Sequence, residues 1–199
     1  MFKKQIETAG ERLIGFDDRT QRLFDGYTDL TPVRALDLLS KLGDQPELRL
    51  IAGSLIAAGT FAGSDRMVRA GARMIIAHEA ATLAKDLLKT EIDRTRPRSA
   101  NKRSETKPTK GNKHAKEETS FPSGHSAGAM AVARAFSREF PEYGAAAIGT
   151  AALVAASQIV RCAHYPTDVV AGLAIGLTAE AATNAVWNSA EMDEPISAE

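Results

Sequence analysis

The chain is predicted to be all-α, a bundle of about six helices, and three observations carry that expectation. Apolar residues recur at helical spacing, helix-starting and helix-stopping residues punctuate the pattern, and no stretch reads convincingly as a strand. The 199 residues suit one domain with a full core, and no internal repeat is present. We divide the chain into an N-terminal amphipathic segment at 1–30, the helical bundle at 31–190 with a mobile basic loop at 98–120, and an acidic tail at 191–199.

Residues 2–27 mix charges with Ile6, Leu13, Leu23 and Phe24, the pattern of one or two amphipathic surface helices, whose function cannot be read. Thr31 and Pro32 start the next helix and Gly43 closes it; Asp44 and Pro46 open another, which runs to the turn at Gly63-Ser64-Asp65. A long helix follows from Met67 to about Lys89. His78 and Glu79 near its middle read as a hydrogen-bonded polar pair between helices. The stretch from Arg98 to Ser120 holds seven Lys or Arg and three Glu and no aliphatic residue larger than alanine, which predicts a loop. Three more helices are expected at about Ser123–Phe140, Tyr143–Cys162 and Thr167–Trp187, with Pro141 and Pro166 at two of the breaks.

Lys plus Arg and Asp plus Glu number 25 each, so the chain lacks the net positive field of a general nucleic-acid binder and none is expected as a partner. Cys162, the single cysteine, excludes an internal disulfide framework and reads as a small packing residue. Met1-Phe2-Lys3-Lys4 is followed by polar residues where a signal peptide needs an apolar run, so no cleaved signal is expected. Tyr143–Val160 is free of charge, Val169–Ala190 carries only Glu180, and Ile51–Ser64 is free of charge but short of the roughly 20 residues a span needs. These segments are rich in alanine and glycine. Hydropathy alone leaves open a membrane bundle packed through small residues and a soluble helical domain.

Residues suited to holding and attacking a phosphate concentrate in three segments at helix ends. Lys89 and Arg96, before Pro97, offer a point charge and a planar fork for anionic oxygens; alone, they would serve as dipole compensation at a helix C-terminus. Phe121-Pro122-Ser123-Gly124-His125 places a hydroxyl, exposed amides and a titratable ring at a helix N-terminus; alone, Ser123 would be an ordinary cap. In the third segment His164 and Asp168 stand four apart. A carboxylate there fixes the ring tautomer and frees the other nitrogen to attack, or else the pair simply caps a helix.

The order Lys89, six residues, Arg96-Pro97, then Pro122-Ser123-Gly124-His125, then Ser157, six residues, His164, three residues, Asp168 resembles the three-part signature of the type 2 phosphatidic acid phosphatase family. The resemblance implies a membrane enzyme with a helical fold. It implies that His164 is the nucleophile, Asp168 orients it, His125 protonates the leaving group, and Lys89, Arg96, Ser123 and the Gly124 backbone hold the phosphate. One position departs from the pattern: Gln158 stands where the family has arginine. Arg161, one helical turn on, is a candidate to deliver the guanidinium, the other readings being a structural ion pair or a weakened site.

The expected activity is therefore a metal-independent phosphatase acting on a phosphomonoester or diphosphate, which the resemblance implies is that of a lipid, through a phosphohistidine, with no cofactor and no metal ligands. A multi-pass protein of a bacterial-type inner membrane is expected, with a soluble cytoplasmic enzyme as the alternative. A vanadium haloperoxidase, a head-group transferase and a non-catalytic helix bundle with a degenerate site are the competing functions. The sequence gives no sign of the oligomeric state, the substrate or the side of the membrane the site faces.

Overall fold

Proline's fixed φ and missing N–H suit the first turn of a helix, and both predicted proline starts are used. Helix α2 spans Thr31–Lys41 with Pro32 in its first turn, and α3 spans Gln45–Ala62 with Pro46 there and Asp44 in extended geometry before it. The structure, a computed structural model, describes residues 2–100, 108–111 and 118–193. Among these the remaining helices are α1 (Phe2–Phe24), α4 (Asp65–Glu91), the single turn α5 (Pro97–Ala100), α6 (Gly124–Glu139), α7 (Gly144–Val160) and α8 (Pro166–Asp193). The amphipathic segment forms one helix rather than two, followed by a 3₁₀ turn at Asp25–Tyr27. Acidic-tail residues 194–199 lie outside the described residues.

Strands do form, against expectation, though only two residues long. Ile92–Asp93 (β1) pairs antiparallel with Thr109–Lys110 (β2), and an isolated bridge joins Arg94 to Thr119. Composition gave no sign of them because backbone pairing along a polar segment needs no apolar face. Residues 101–107 and 112–117 of the predicted basic loop lie outside the described residues.

Helix α6 is the axis of the bundle, packed on α4, α7 and α8; α3 lies on α4, α2 on α7 and α1 against α8. Small side chains fill the core: Ala77, Ala81 and Ala131 between α4 and α6, and Ala133 and Ala151 between α6 and α7. Helix α8 comes close because Gly172 and Gly176 face α6 backbone. A Cβ on either would lie 2.4 Å from a carbonyl oxygen, of Ser123 and Ala127 respectively. The predicted polar pair in α4 divides: Glu79 takes Arg49 of α3 at 2.6 Å, whereas the buried His78 ring has no hydrogen-bond partner among the described residues.

The long helices alternate in direction, so the C-terminus of α4, the N-terminus of α6, the C-terminus of α7 and the N-terminus of α8 meet at one end. That end carries the three predicted motifs. The opposite end is tied by Arg66 to Glu142 at 2.7 Å, Arg73 to Glu139 at 2.9 Å and Arg138 to the buried Glu180 at 2.7 Å. The segments Pro141–Val160 and Pro166–Ala190 are long and apolar enough to cross a membrane by length and composition, and only 33% and 28% of their apolar windows is buried. Helix α3 is 18 residues long and carries Glu47 and Arg49.

Candidate active site

The junction of α7 and α8 is a tight reversal built on a left-handed residue. Helix α7 ends at Val160, and Cys162, buried, adopts φ +50°, a conformation uncommon outside glycine and asparagine. The amides of Ala163 and His164 both donate to Gln158 O, at 2.9 and 3.1 Å, and Arg98 N donates to Cys162 O at 3.1 Å. The turn folds His164 back into the bundle end, where it is 2% exposed.

One ring nitrogen of His164 faces a cation and the other a carboxylate. Arg96 Nη1 lies 3.3 Å from Nε2 and also donates to Ala163 O at 3.3 Å. Because Arg96 can only donate, Nε2 is assigned as the nitrogen without a proton. Nδ1 is 3.7 Å from Asp168 Oδ2, beyond hydrogen-bond reach, with Ser120 Oγ set between them: 3.5 Å from Nδ1 and 2.5 Å from Asp168 Oδ2, to which it donates. Burial pushes the His164 imidazole down to about 4; Asp168 opposes the shift, and Arg96 and Lys89 add to it. The ring is therefore neutral across ordinary working pH.

Around this pair stand the other predicted residues. Ser123 caps α6, its Oγ accepting from Ser126 N at 3.4 Å and Ser126 Oγ at 2.9 Å, while its amide donates to Asp168 O at 3.0 Å. Its hydroxyl thus serves as the cap considered from sequence and still carries its own donor proton. Lys89 Nζ donates to Thr119 O at 3.2 Å, and Gly124 lies against the Lys85 stem. His125 Nε2 meets Asp44 Oδ1 at 2.7 Å, and Arg161 is ion-paired with Asp37 of α2. Arg96, His125 and Arg161 line one cleft of about 710 Å³, together with Asp37, Asp44 and Gln158. Ser123, His164 and Asp168 are buried behind it.

A sequence model described as the PAP2 superfamily matches residues 70–191, more than half of the chain and all three motifs. The chain belongs to the PAP2 superfamily. A stretch of 94 residues is 42% identical to a lipid A 1-phosphatase of Rhizobium etli, covering 47% of this chain and 40% of that protein. A second lipid A 1-phosphatase, of Rhizobium johnstonii, is 47% identical over 57 residues, covering 29% of this chain and 23% of the relative. The matched stretches span less than half the length of either curated relative. The fold is similar to the crystal structure of a transmembrane PAP2-type phosphatidylglycerolphosphate phosphatase from Bacillus subtilis, with TM-score 0.65 and 21% identity over 90% of this chain and 87% of that one.

In this PAP2 chain the departure at Gln158 has a structural counterpart. Gln158 is 1% exposed and its amide donates to Ser40 Oγ at 3.0 Å and Val154 O at 3.2 Å, joining α7 to α2. Sequence reasoning missed several participants. Arg94 is 3% exposed and donates to Asp168 Oδ1 at 2.6 Å and to Asp17 Oδ2 at 2.7 Å. Its charge stood in plain view within the first motif, but that stretch reads as a helix end, whereas the chain is extended from Ile92. Ser120, Asp37, Asp44 and Asp17 carried no such mark, since each lies in a segment that reads as ordinary solvated polarity.

Proposed function

We propose that this chain is a lipid phosphate phosphatase that works through a phosphohistidine on His164 without a metal ion. The observation that carries the reading is the buried His164 ring, with Nε2 3.3 Å from Arg96, which lines the cleft, and Nδ1 3.7 Å from Asp168. A phosphate entering the cleft would draw Arg96, Lys89 and Arg161 onto its oxygens and release the Nε2 lone pair for in-line attack. The first-turn amides of α6 at Gly124, which a helix leaves without internal partners, add donors to the same anion. His125 supplies the proton to the leaving oxygen as the P–O bond breaks, and water then attacks the phosphohistidine. Charge that develops on the equatorial oxygens is offset by the side-chain cations, which is the role a metal ion fills in other phosphoryl-transfer sites.

A lipid is the fitting substrate because the cleft lies next to an apolar groove. The groove, of about 230 Å³, runs between α3 and α7 over α6, lined by Leu48, Ile51, Ala133, Phe136, Ala151 and Val154 among others. Its upper edge meets the site at Gly43, where an added Cβ would sit 2.7 Å from Val154 Cγ1 and 3.2 Å from His125 Cβ. Gly43 thus packs between His125 of the cleft and Val154 of the groove, which sets a phosphate over His125 close to an apolar surface. Exposed Leu153, Val170 and Val186 on α7 and α8 suit acyl chains rather than water, and α3, α4 and α6 would complete a multi-pass bundle. A helical bundle suits a bacterial inner membrane, since outer-membrane spans are β-barrels.

Purified protein in detergent containing excess chelator is expected to release phosphate from a short-chain phosphatidic acid and from lipid A, the substrate named for the Rhizobium relatives. Loss of turnover in chelator that magnesium or zinc restores would refute the metal-free mechanism, and no turnover on any lipid phosphate would favour a degenerate site.

A further inference from the structure

Helix α1 lies outside the residues matched by the superfamily model, yet it places a buried carboxylate at the active site. Asp17, in the C-terminal third of α1, is 1% exposed. Its Oδ1 accepts from Thr167 N at 3.1 Å and its Oδ2 from Thr167 Oγ1 at 2.5 Å, which caps the start of α8 from another helix. Oδ2 also takes Arg94 Nη2 at 2.7 Å, while Arg94 Nη1 reaches Asp168 Oδ1 at 2.6 Å and Thr167 Oγ1 at 2.7 Å. The guanidinium carbon sits over the Tyr165 ring, 3.9 Å from its centroid. Asp168 is thereby fixed at both oxygens, Oδ1 by Arg94 and Oδ2 by Ser120 Oγ and Tyr165 N at 3.0 Å.

The charges give this arrangement chemical meaning. Arg94 is one buried cation between two buried carboxylates, so the Asp17-Arg94-Asp168 group holds one net negative charge behind His164. When Nε2 attacks phosphorus, positive charge develops on an imidazole that keeps its proton on Nδ1, and a net negative neighbour at Asp168 stabilises it. With Asp17 neutralised, the group would hold one negative charge fewer and that stabilisation would shrink. Among the described residues, Arg96 and Lys89 also act on the ring, but they are cations and cannot replace it.

We propose, resting on the phosphatase reading above, that Asp17 is a positioning residue for the reaction: through Arg94 it sets the orientation and net charge of Asp168, so that α1 is a working part of the active site. Asp17 also caps α8 at Thr167, but its effect on the ring runs through Arg94 and Asp168, so that effect belongs to the chemical step and is lost once Asp168 is neutral.

The test is a double-mutant cycle on the full chain, using short-chain phosphatidic acid, with thermal unfolding followed in parallel. Asp17→Asn should lower kcat about 10- to 100-fold with KM within about twofold of wild type. In an Asp168→Asn background the same change should cost less than about twofold further. Asp17→Glu, which keeps the charge, should retain at least a third of wild-type kcat, and it serves as the reading if the asparagine variant fails to fold. Three results would overturn the inference: Asp17→Asn with unchanged kcat, losses that multiply in the double variant, or Asp17→Glu as slow as Asp168→Asn. Wild-type protein that turns over no phosphoester would remove the phosphatase reading and this inference with it, whereas active wild type with an indifferent Asp17 removes the inference alone.

Discussion

Arg96 Nη1 lies 3.3 Å from Nε2 of His164, a cation against a ring that burial already keeps neutral. The folded-state value of about 4 lies below the unfolded value of about 6.5. Between these values the unfolded chain binds more protons, so His164's contribution to stability rises with pH. It is fully present above about pH 6.5, is lost as pH falls toward 4, and amounts to roughly 3 kcal/mol over the window. Thermal unfolding of wild type and His164→Gln between pH 4.5 and 7 should show a shallower pH dependence for the variant. Parallel curves would mean that the ring is not held neutral by its surroundings.

His125, paired with Asp44 at 2.7 Å and facing the cleft, is expected to matter in proportion to the basicity of the leaving oxygen. His125→Ala should slow an alkyl phosphate about 100-fold or more and an aryl phosphate less than about tenfold, because a good leaving group needs no proton. Steady-state rates on the two substrates check this. Equal losses would assign His125 to binding instead.

Arg161 lines the cleft and Gln158 does not project a charge there, which sets their variants apart. Arg161→Ala should cost roughly 2 to 4 kcal/mol of transition-state stabilisation, about thirty- to a thousandfold in kcat/KM. Gln158→Ala should leave turnover within about fivefold and lower stability by about 1 kcal/mol, since it strands the buried Ser40 hydroxyl. A near-normal rate for Arg161→Ala would make its ion pair with Asp37 the whole of its role.

Helix starts at Pro32 and Pro46, the stop at Gly63 and the placing of three motifs at helix ends were legible because each rests on local chemistry or fixed spacing. What lay outside that reach was long-range. Asp17 is 151 positions from Asp168, and nothing about one carboxylate on a mixed-charge helix distinguishes it from its neighbour Asp18. The pairing of Asp37 with Arg161 and of Asp44 with His125 likewise depends on how α2 lies across α7, which no local pattern encodes. The β1 and β2 pair escaped notice because its hydrogen bonds are made by backbone, which every residue carries alike.

The central claim is the covalent role of His164, and rapid quenching of the enzyme with a ³²P-labelled lipid phosphate addresses it without intermediaries. Labelled protein should accumulate before steady state, survive alkali and hydrolyse in acid as a phosphorus–nitrogen bond does, and yield a single labelled peptide containing His164. His164→Ala should give no label and less than about a thousandth of wild-type turnover. Label on another residue, or appreciable turnover by His164→Ala, would contradict the account.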